Sequence, residues 1–305
     1  MKKISRIALK KYGFVWAIMA FPVINFIVFW LIANFGSLVL AFQSRDFMGK
    51  MTGWVGLENF KRFLDDVVNS PVISTAFKNT FLMAGNQFLI IMPLQLFFSY
   101  FLFRKFPCHG IVKFILMLPA IISGFVVCLV FKKFVEGALP SIMLELFGIK
   151  NFPNLITDVR YGFKTILFYE IWLSFTTTLI MYTNAMNQID DSILESARLD
   201  GINEGLQEFF AICLPLIFPT ITTFLVVNFS GFLSASGSLV AFFRFNAPQQ
   251  YQTFGYWMYV NVAATSSQIM YPYMAASGMF LTVIMAPLTF LLKHLLEKYG
   301  PSADY

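Results

Sequence analysis

Six long apolar runs dominate this chain, and their length restricts what it can fold into. A helix needs roughly 20 apolar residues to cross about 30 Å of hydrocarbon. The runs are unbroken, whereas the strands of a membrane barrel alternate in hydrophobicity. We therefore predict an all-α polytopic membrane protein, with residues 1–305 forming a single transmembrane domain. Its six spans are predicted at about residues 13–41, 79–103, 112–134, 162–186, 212–240 and 273–293.

The composition agrees with burial in a bilayer. Apolar residues make up 58% of the chain and charged residues only 12%, too few for an ordinary soluble surface. The net charge of +6 arises from basic residues scattered at the ends of the apolar runs, where span anchors are found. Because no basic stripe with interleaved aromatic residues is present, we expect membrane lipids around the chain and no nucleic acid partner.

Residues suited to catalysis or metal binding are few. The three cysteines lie in or beside apolar or inward-facing segments, and His109 and His294 do not have ligand spacing. No Gly-x4-Gly-Lys-Ser/Thr phosphate loop occurs in the sequence, so the chain lacks the usual means of holding a nucleotide. We therefore predict that the chain has no catalytic residues, no metal site and no cofactor of its own, and is not an enzyme.

A polar segment, the acidic loop (residues about 190–211), separates the fourth and fifth runs. Ser192 and Glu195 form a Ser-x-x-Glu capping box, which predicts a helix that begins near Ile193. Gly201 permits the left-handed geometry that ends one helix and starts a turn into another. The acidic loop is thus predicted to be a short helix-turn-helix.

The charge of the acidic loop favours a protein partner over the membrane surface. Six acidic residues are opposed by Arg198 alone, and anionic lipid heads would repel them. The pattern therefore favours a knob that fits a groove on a soluble partner, and an amphipathic loop lying on the membrane surface is the alternative. The acidic residues are Asp190, Asp191, Glu195, Asp200, Glu204 and Glu208.

The acidic loop resembles the cytoplasmic coupling loop of ABC importer membrane subunits, in which Glu-Ala-Ala is followed by Gly and then by Ile-x-Leu-Pro. Two departures occur: Ser196 stands where alanine is usual, and ten residues rather than nine separate Gly201 from Ile212. The longer spacing could shift the register of the helix that enters the membrane. The resemblance implies that the coupling residues are Glu195, Ser196, Ala197, Asp200, Gly201, Ile212, Leu214 and Pro215.

The chain also resembles sugar permeases in its external segment from Trp54 to Leu64. It is therefore similar to the MalF-like permease subunits of binding-protein-dependent ABC sugar importers. That resemblance implies one half of a translocation path for a sugar or oligosaccharide, in a heterodimer with a second permease subunit. It also implies an ATPase dimer on the cytoplasmic side, which would hold ATP and Mg, and an extracellular solute-binding protein.

The basic residues that flank the spans predict the orientation of the chain. One cluster precedes the first run, and another surrounds the turn between the second and third runs. The positive-inside rule places both clusters in the cytoplasm, so both termini and the acidic loop would lie inside a bacterial cytoplasmic membrane. The residues in the two clusters are Lys2, Lys3, Arg6, Lys10 and Lys11, then Arg104, Lys105 and Lys113.

Glu170 is an ionisable residue within the fourth run. A carboxylate near the bilayer interior costs about 2.5–3.5 kcal/mol, so it should face the bundle or a water-filled path. Ser174 and Thr178 follow at i+4 and i+8 and would share its helical face. Two interpretations stay open: the three residues line the substrate path, or Glu170 joins neighbouring helices by a hydrogen bond.

A secondary transporter or channel driven by an ion gradient is the alternative function. Such proteins usually carry several intramembrane ionisable groups, whereas Glu170 is almost alone here.

Overall fold

The computed structural model describes residues 6–174, 177–264 and 267–301. This part of the chain is mostly helical and divides into two compact units. The described residues of Met1–Asp66 and Asn261–Thr282 form the first unit, and those of Val67–Val260 and Val283–Tyr305 form the second.

The α-helices are α1 (Arg6–Asn25), α2 (Ala33–Leu40), α3 (Glu58–Asn69), α4 (Pro71–Gly85), α5 (Met92–Phe103), α6 (His109–Ile121), α7 (Gly124–Lys133), α8 (Leu139–Phe147), α9 (Gly162–Leu173), α10 (Thr177–Met186), α11 (Asp191–Leu199), α12 (Leu206–Glu208), α13 (Leu214–Leu216), α14 (Phe218–Gly231), α15 (Leu239–Phe243), α16 (Phe254–Ala263) and α17 (Tyr271–Tyr299). Helical segments with π geometry lie at Phe26–Ile32, Asn86–Ile91, Phe134–Ala138 and Phe209–Cys213. Short 3₁₀ turns lie at Phe232–Ser234, Gln249–Tyr251 and Gln268–Met270.

Within the described residues, four helices are long and apolar enough to cross a membrane. Two further pairs of helices are bent at short breaks, by 98° in one pair and 40° in the other. Counting each bent pair as one span gives six. The four helices are Phe14–Leu40, Pro71–Phe103, Phe218–Phe243 and Gln268–Tyr299, and the bent pairs are His109–Pro119 with Gly124–Phe147 and Gly162–Leu173 with Thr178–Met186.

The third run is bent, although the sequence suggested one uninterrupted span over residues 112–134. Helix α6 contains Pro119, which has no N–H to donate, and the backbone is extended at Ile122. Helix α7 then begins after Ser123, whose carbonyl accepts hydrogen bonds from the N–H groups of Val126 and Val127. The helical course continues to Phe147.

A small β-hairpin in the first unit departs from the all-α prediction. Strands β1 (Gln43–Arg45) and β2 (Met51–Trp54) pair antiparallel. Gly49 has φ +83° in the connecting turn, and the N–H of Lys50 donates to Asp46 Oδ1 at 2.8 Å. A glycine with positive φ and a self-capping aspartate are typical of such turns, and both occur in the polar stretch between predicted spans.

The break between α9 and α10 is stabilised by side chains of α5, which packs against α10. Gln95 Nε2 donates to the carbonyl of Ser174 at 2.7 Å, and Ser99 Oγ donates to that of Leu179 at 2.9 Å. Leu179 lies inside α10, whereas Ser174 lies at the break, where a freed backbone carbonyl needs such a partner because hydrocarbon offers none.

One apolar cluster of the second unit connects α5, α10, the end of the acidic loop and the segment that follows the loop. Its buried members are Met92, Leu96, Tyr100, Tyr182, Met186, Phe209, Cys213, Ile217 and Ile221. The segment from Phe209 onward is therefore part of the core rather than a free loop.

Candidate functional site

The first helix of the acidic loop begins two residues earlier than predicted. Helix α11 starts at Asp191, and its N-cap is Asp190, whose side chain accepts a hydrogen bond from the N–H of Ser192 at 2.9 Å. This hydrogen bond holds the pKa of the Asp190 carboxyl below its ordinary value. Both Asp and Ser are good N-cap residues, so local sequence did not decide between them.

The helix ends in a Schellman motif centred on Gly201. This residue has φ +86°, the left-handed geometry predicted for it. Its N–H donates to the carbonyl of Arg198 at 3.1 Å, and the N–H of Ile202 donates to the carbonyl of Ala197 at 3.0 Å. These two bonds satisfy the last carbonyls of the helix and reverse the chain sharply.

Two faces of α11 are clearly distinct. Leu194 and Ala197 are buried, whereas the side chains of Glu195, Ser196 and Asp200 are exposed. Leu199 is the most exposed of the neighbouring apolar side chains, at 90%. An exposed apolar side chain beside exposed carboxylates in the same segment is suited to insertion into a groove on another protein.

The second helical part of the acidic loop leads into the membrane through a π turn. Gly205 precedes it with φ +114°, a conformation essentially restricted to glycine. Helix α12 then passes into the π segment Phe209–Cys213, where the N–H of Leu214 donates to the carbonyl of Phe209. A π turn contains one residue more than an α turn, and the spacing between Gly201 and Ile212 is one residue longer than the family pattern.

The remaining motif residues lie at the end of this turn and directly after it. Ile212, Leu214 and Pro215 are all half-buried. They enter α14 through the turn at Ile217, whose N–H donates to the carbonyl of Cys213 at 3.0 Å. The structure thus places the motif in two parts, one exposed on α11 and one packed at the start of the fifth span.

Glu208 lies at the centre of a buried polar network. It is 1% exposed and binds Arg104 with both carboxylate oxygens: Arg104 Nε donates to Oε1 at 2.6 Å, and Nη2 donates to Oε2. The hydroxyl of Tyr100 donates to Oε1 at 3.0 Å and accepts from the N–H of Gly205 at 3.0 Å. Paired hydrogen bonds between guanidinium and carboxylate fix relative orientation as well as distance.

Arg104 stays protonated in this network. Its side chain is 13% exposed. Burial by itself lowers the pKa of Arg104, but hydrogen bonds with Glu208 and Tyr100 and the charges of Glu208 and Glu204 raise it above its ordinary value. The Arg104 guanidinium also lies 3.7 Å from the carboxylate of Glu204, which in turn pairs with Arg198.

Sequence reasoning missed this network. Glu208 was counted among the acidic residues of the loop that face a soluble partner, and Arg104 among the basic residues that flank a span. The available signal was an acidic residue in an otherwise apolar helix, since the neighbouring Phe209, Ile212 and Cys213 would bury it. A buried carboxylate needs a cation, and Arg104 stands at the end of a span on the side predicted for the loop.

Glu170 faces a cavity of about 290 Å³ in the second unit. Its Oε1 accepts a hydrogen bond from the N–H of Ser238 at 2.6 Å. Gly237 has φ +55°, and a Cβ there would lie 2.9 Å from the Glu170 carboxylate, so the close approach requires glycine. The other polar residues that line the cavity are Thr80, Asn86, Gln87 and Asn228.

The expectation that Glu170, Ser174 and Thr178 share one continuous helical face was wrong. Helix α9 ends at Leu173, and the next helix is bent 40° away from it. The Ser174 hydroxyl donates a hydrogen bond to the backbone carbonyl of Ile171 in α9, 2.7 Å away. Of the three residues, Glu170 alone lines this cavity in the described part of the chain.

The described residues contain no group of three or more His, Cys, Asp or Glu side chains arranged to hold a metal ion. Neither the acidic loop nor the Glu170 cavity therefore presents a metal centre among those residues.

Comparison with known proteins identifies the family of this chain. Residues 79–302 match the family described as the binding-protein-dependent transport system inner membrane component. The match covers more than half of the chain. The chain therefore belongs to this family: it is a multi-pass protein of the bacterial inner membrane and is not an enzyme.

Two relatives illustrate the similarity. The maltose/maltodextrin transport system permease protein MalF of Vibrio vulnificus is 25% identical over 180 residues, which are 58% of this chain and 34% of that protein. The multiple sugar-binding transport system permease protein MsmF of Streptococcus mutans is 23% identical over 297 residues, covering 97% of this chain and 99% of that protein. The chain thus matches about a third of the MalF length and nearly the whole of MsmF.

A solved structure shows the same fold. It belongs to a bacterial ABC transporter involved in the import of the acidic polysaccharide alginate. The TM-score is 0.79 at 21% identity, with 95% of this chain and 97% of that chain covered.

Proposed function

We propose that the chain forms one half of the translocation path of an ABC importer for a sugar or oligosaccharide. Its family depends on a binding protein, and the relatives described above carry names of sugar transport systems. The partners would be a second permease subunit, a cytoplasmic ATPase dimer and an extracellular solute-binding protein. ATP and Mg would be held by the ATPase subunits.

The exposed face of α11 is the observation that carries the coupling role. Glu195, Ser196, Leu199 and Asp200 are all exposed, while the buried Leu194 and Ala197 attach the helix to the rest of the unit. Closure of the ATPase dimer would push this face and move α11 as a rigid body. The spans have an inward-open and an outward-open state. Such a push shifts the equilibrium between these states if the closed ATPase dimer binds the loop more tightly in one of them.

The Glu170 cavity is the proposed part of the sugar path. Amide, hydroxyl and carboxylate groups from three segments converge there, and sugar hydroxyls both donate to and accept from such groups. Glu170 also joins α9 to the turn before α15 through Ser238, so the carboxylate positions one wall of the cavity. Ser174 and Thr178 stay sequence-based candidates for other parts of the path.

The proposed orientation places both termini and the acidic loop in the cytoplasm. The ion pair of Arg104 with Glu208 supports this arrangement, because it puts the basic turn after α5 and the acidic loop at the same end of the second unit. Cys108 in that turn is exposed, whereas Cys128 and Cys213 are buried. A membrane-impermeant thiol reagent should therefore label Cys108 only after permeabilisation, and labelling in intact cells would invert the orientation.

Affinity purification tests the function. The tagged chain is expressed with the other subunits of its transport system, purified in detergent and reconstituted with the binding protein. We expect an ATPase to co-purify and sugar to stimulate its activity. Uptake that proceeds without an ATPase and follows an ion gradient would instead identify a secondary transporter.

A further inference from the structure

The buried pair of Arg104 and Glu208 joins two segments that the chain itself does not connect. The acidic loop is covalently continuous with α10 on one side and α14 on the other. Helix α5 is not adjacent to it in sequence, and residues 104 and 208 are 104 positions apart. A movement of the loop therefore reaches the second span only through noncovalent contacts such as this one.

The chemistry of the pair suits a role in positioning. Apolar side chains of similar volume often stabilise a buried site as well as an ion pair does, so the pair contributes little that packing could not. What it adds is direction, since a bidentate guanidinium-carboxylate contact allows few relative orientations. Tyr100 extends the contact to the backbone of Gly205, where the second part of the loop begins.

A second ion pair, between Arg198 and Glu204, differs from the pair of Arg104 and Glu208 in its exposure. Arg198 binds Glu204, but both residues belong to the acidic loop and both side chains are about half exposed. Exposed pairs of this kind contribute little to stability. The link of that pair to α5 is the exposed Glu204, 3.7 Å from Arg104, rather than a buried bidentate contact.

We propose that Arg104, Glu208 and Tyr100 form a latch that holds the second part of the acidic loop on the end of α5. The latch delivers movement of the loop to the α4–α5 span as well as to α14. This role rests on the proposed docking of the loop to an ATPase. These residues are positioning residues, because they act on the transport path through the helices that they join.

The test measures sugar transported per ATP hydrolysed in the reconstituted importer. In Arg104→Met the ATPase should still co-purify and hydrolyse ATP, while the ratio falls at least about fivefold, the lower end of common coupling free energies. The charge swap Arg104→Glu with Glu208→Arg should recover much of the ratio. Arg160→Met, which breaks an exposed pair with Asp158 outside the loop, should leave the ratio unchanged.

Tyr100→Phe keeps the inference testable if Arg104→Met fails to assemble. It removes the hydroxyl that connects Glu208 with Gly205 and leaves the ion pair in place, so we expect a smaller fall in the same ratio. An unchanged ratio in Arg104→Met, or in Tyr100→Phe where the former does not assemble, would overturn the latch. Absence of an ATPase from the wild-type complex would instead contradict the proposed function.

Discussion

Arg104 at the end of α5 and Glu208 in the acidic loop form a bidentate ion pair in which the carboxylate is almost completely buried. Removing one partner leaves a buried charge without compensation. Each single change, Arg104→Met or Glu208→Leu, should therefore destabilise the second unit by about 3–5 kcal/mol. The double variant should lose much less, because two apolar side chains replace both charges.

Thermal unfolding in detergent of the wild type, both single variants and the double variant completes a double-mutant cycle. Arg160→Met is the matched control and should change the midpoint little, since its pair is exposed. Losses that simply add in the double variant would show that the two residues do not interact.

The effect of a substitution at Gly201 should depend on how much free energy the new residue loses in the left-handed backbone geometry of this position. A Cβ at Gly201 would meet no atom within 4 Å, so only the φ of +86° opposes a side chain. We expect Gly201→Asn to be mildest, Gly201→Ala to cost about 1 kcal/mol and Gly201→Val to cost more. ATPase activity stimulated by sugar should fall in that order while membrane insertion is retained.

Full stimulated activity in Gly201→Val, with normal assembly, would make Gly201 an ordinary loop residue. It would also remove the Schellman turn from the coupling mechanism. Gly110 offers a control, because it lies within α6 with equally open surroundings and no positive φ.

The π turn at Phe209–Cys213 predicts that one residue can be deleted from the second part of the loop. Removing the exposed Ala211 leaves nine residues between Gly201 and Ile212, as in the family pattern. The segment should become regular α-helix, with Glu208 still facing Arg104 and Leu214 still entering the core. ATP-driven uptake should therefore survive the deletion.

Deleting Val226 from the regular helix α14 is the matched control, because it rotates all later residues by about 100°. We expect this deletion to abolish uptake. Loss of uptake on deletion of Ala211 to the same extent would show that the π turn does not absorb the additional residue.

Glu170→Gln separates the two roles proposed for that carboxylate. The amide oxygen still accepts a hydrogen bond from the N–H of Ser238, so the wall of the cavity should stay in place. If sugar passes this point, the uptake rate or the preference among sugars should change while assembly with the ATPase is preserved. Unaltered uptake of every accepted sugar, with a lower unfolding temperature only, would assign Glu170 to structure.

The sequence was informative wherever the cause is local. Runs of about 20 apolar residues predicted the helical regions, and Gly201 predicted a left-handed turn, because each depends on a few neighbouring residues. The breaks in the third and fourth runs were missed. The break in the fourth run is stabilised by a side chain of α5, and the local sequence does not show such a contact between distant segments. Pro119 was visible in the sequence, but proline is tolerated in membrane helices and gave no decisive signal.

The candidate site was only partly predictable from the sequence, because part of it depends on contacts between segments that are distant in sequence. The exposed carboxylates of α11 follow from a local motif, whereas the partner of Glu208 lies on another helix. No periodicity indicates such a pair. The hydrogen bond of Glu170 with Ser238 is likewise a contact between distant segments.

Site-specific cross-linking from position 199 tests the central claim most directly. Leu199 is replaced by a photoreactive phenylalanine analogue, and the same analogue at Phe125, an exposed apolar position on another helix, is the control. Irradiation of membranes that contain the assembled importer should join position 199, and not position 125, to the ATPase subunit, as identified by mass spectrometry. An intact, ATP-driven importer in which position 199 never cross-links to the ATPase would contradict docking at this face.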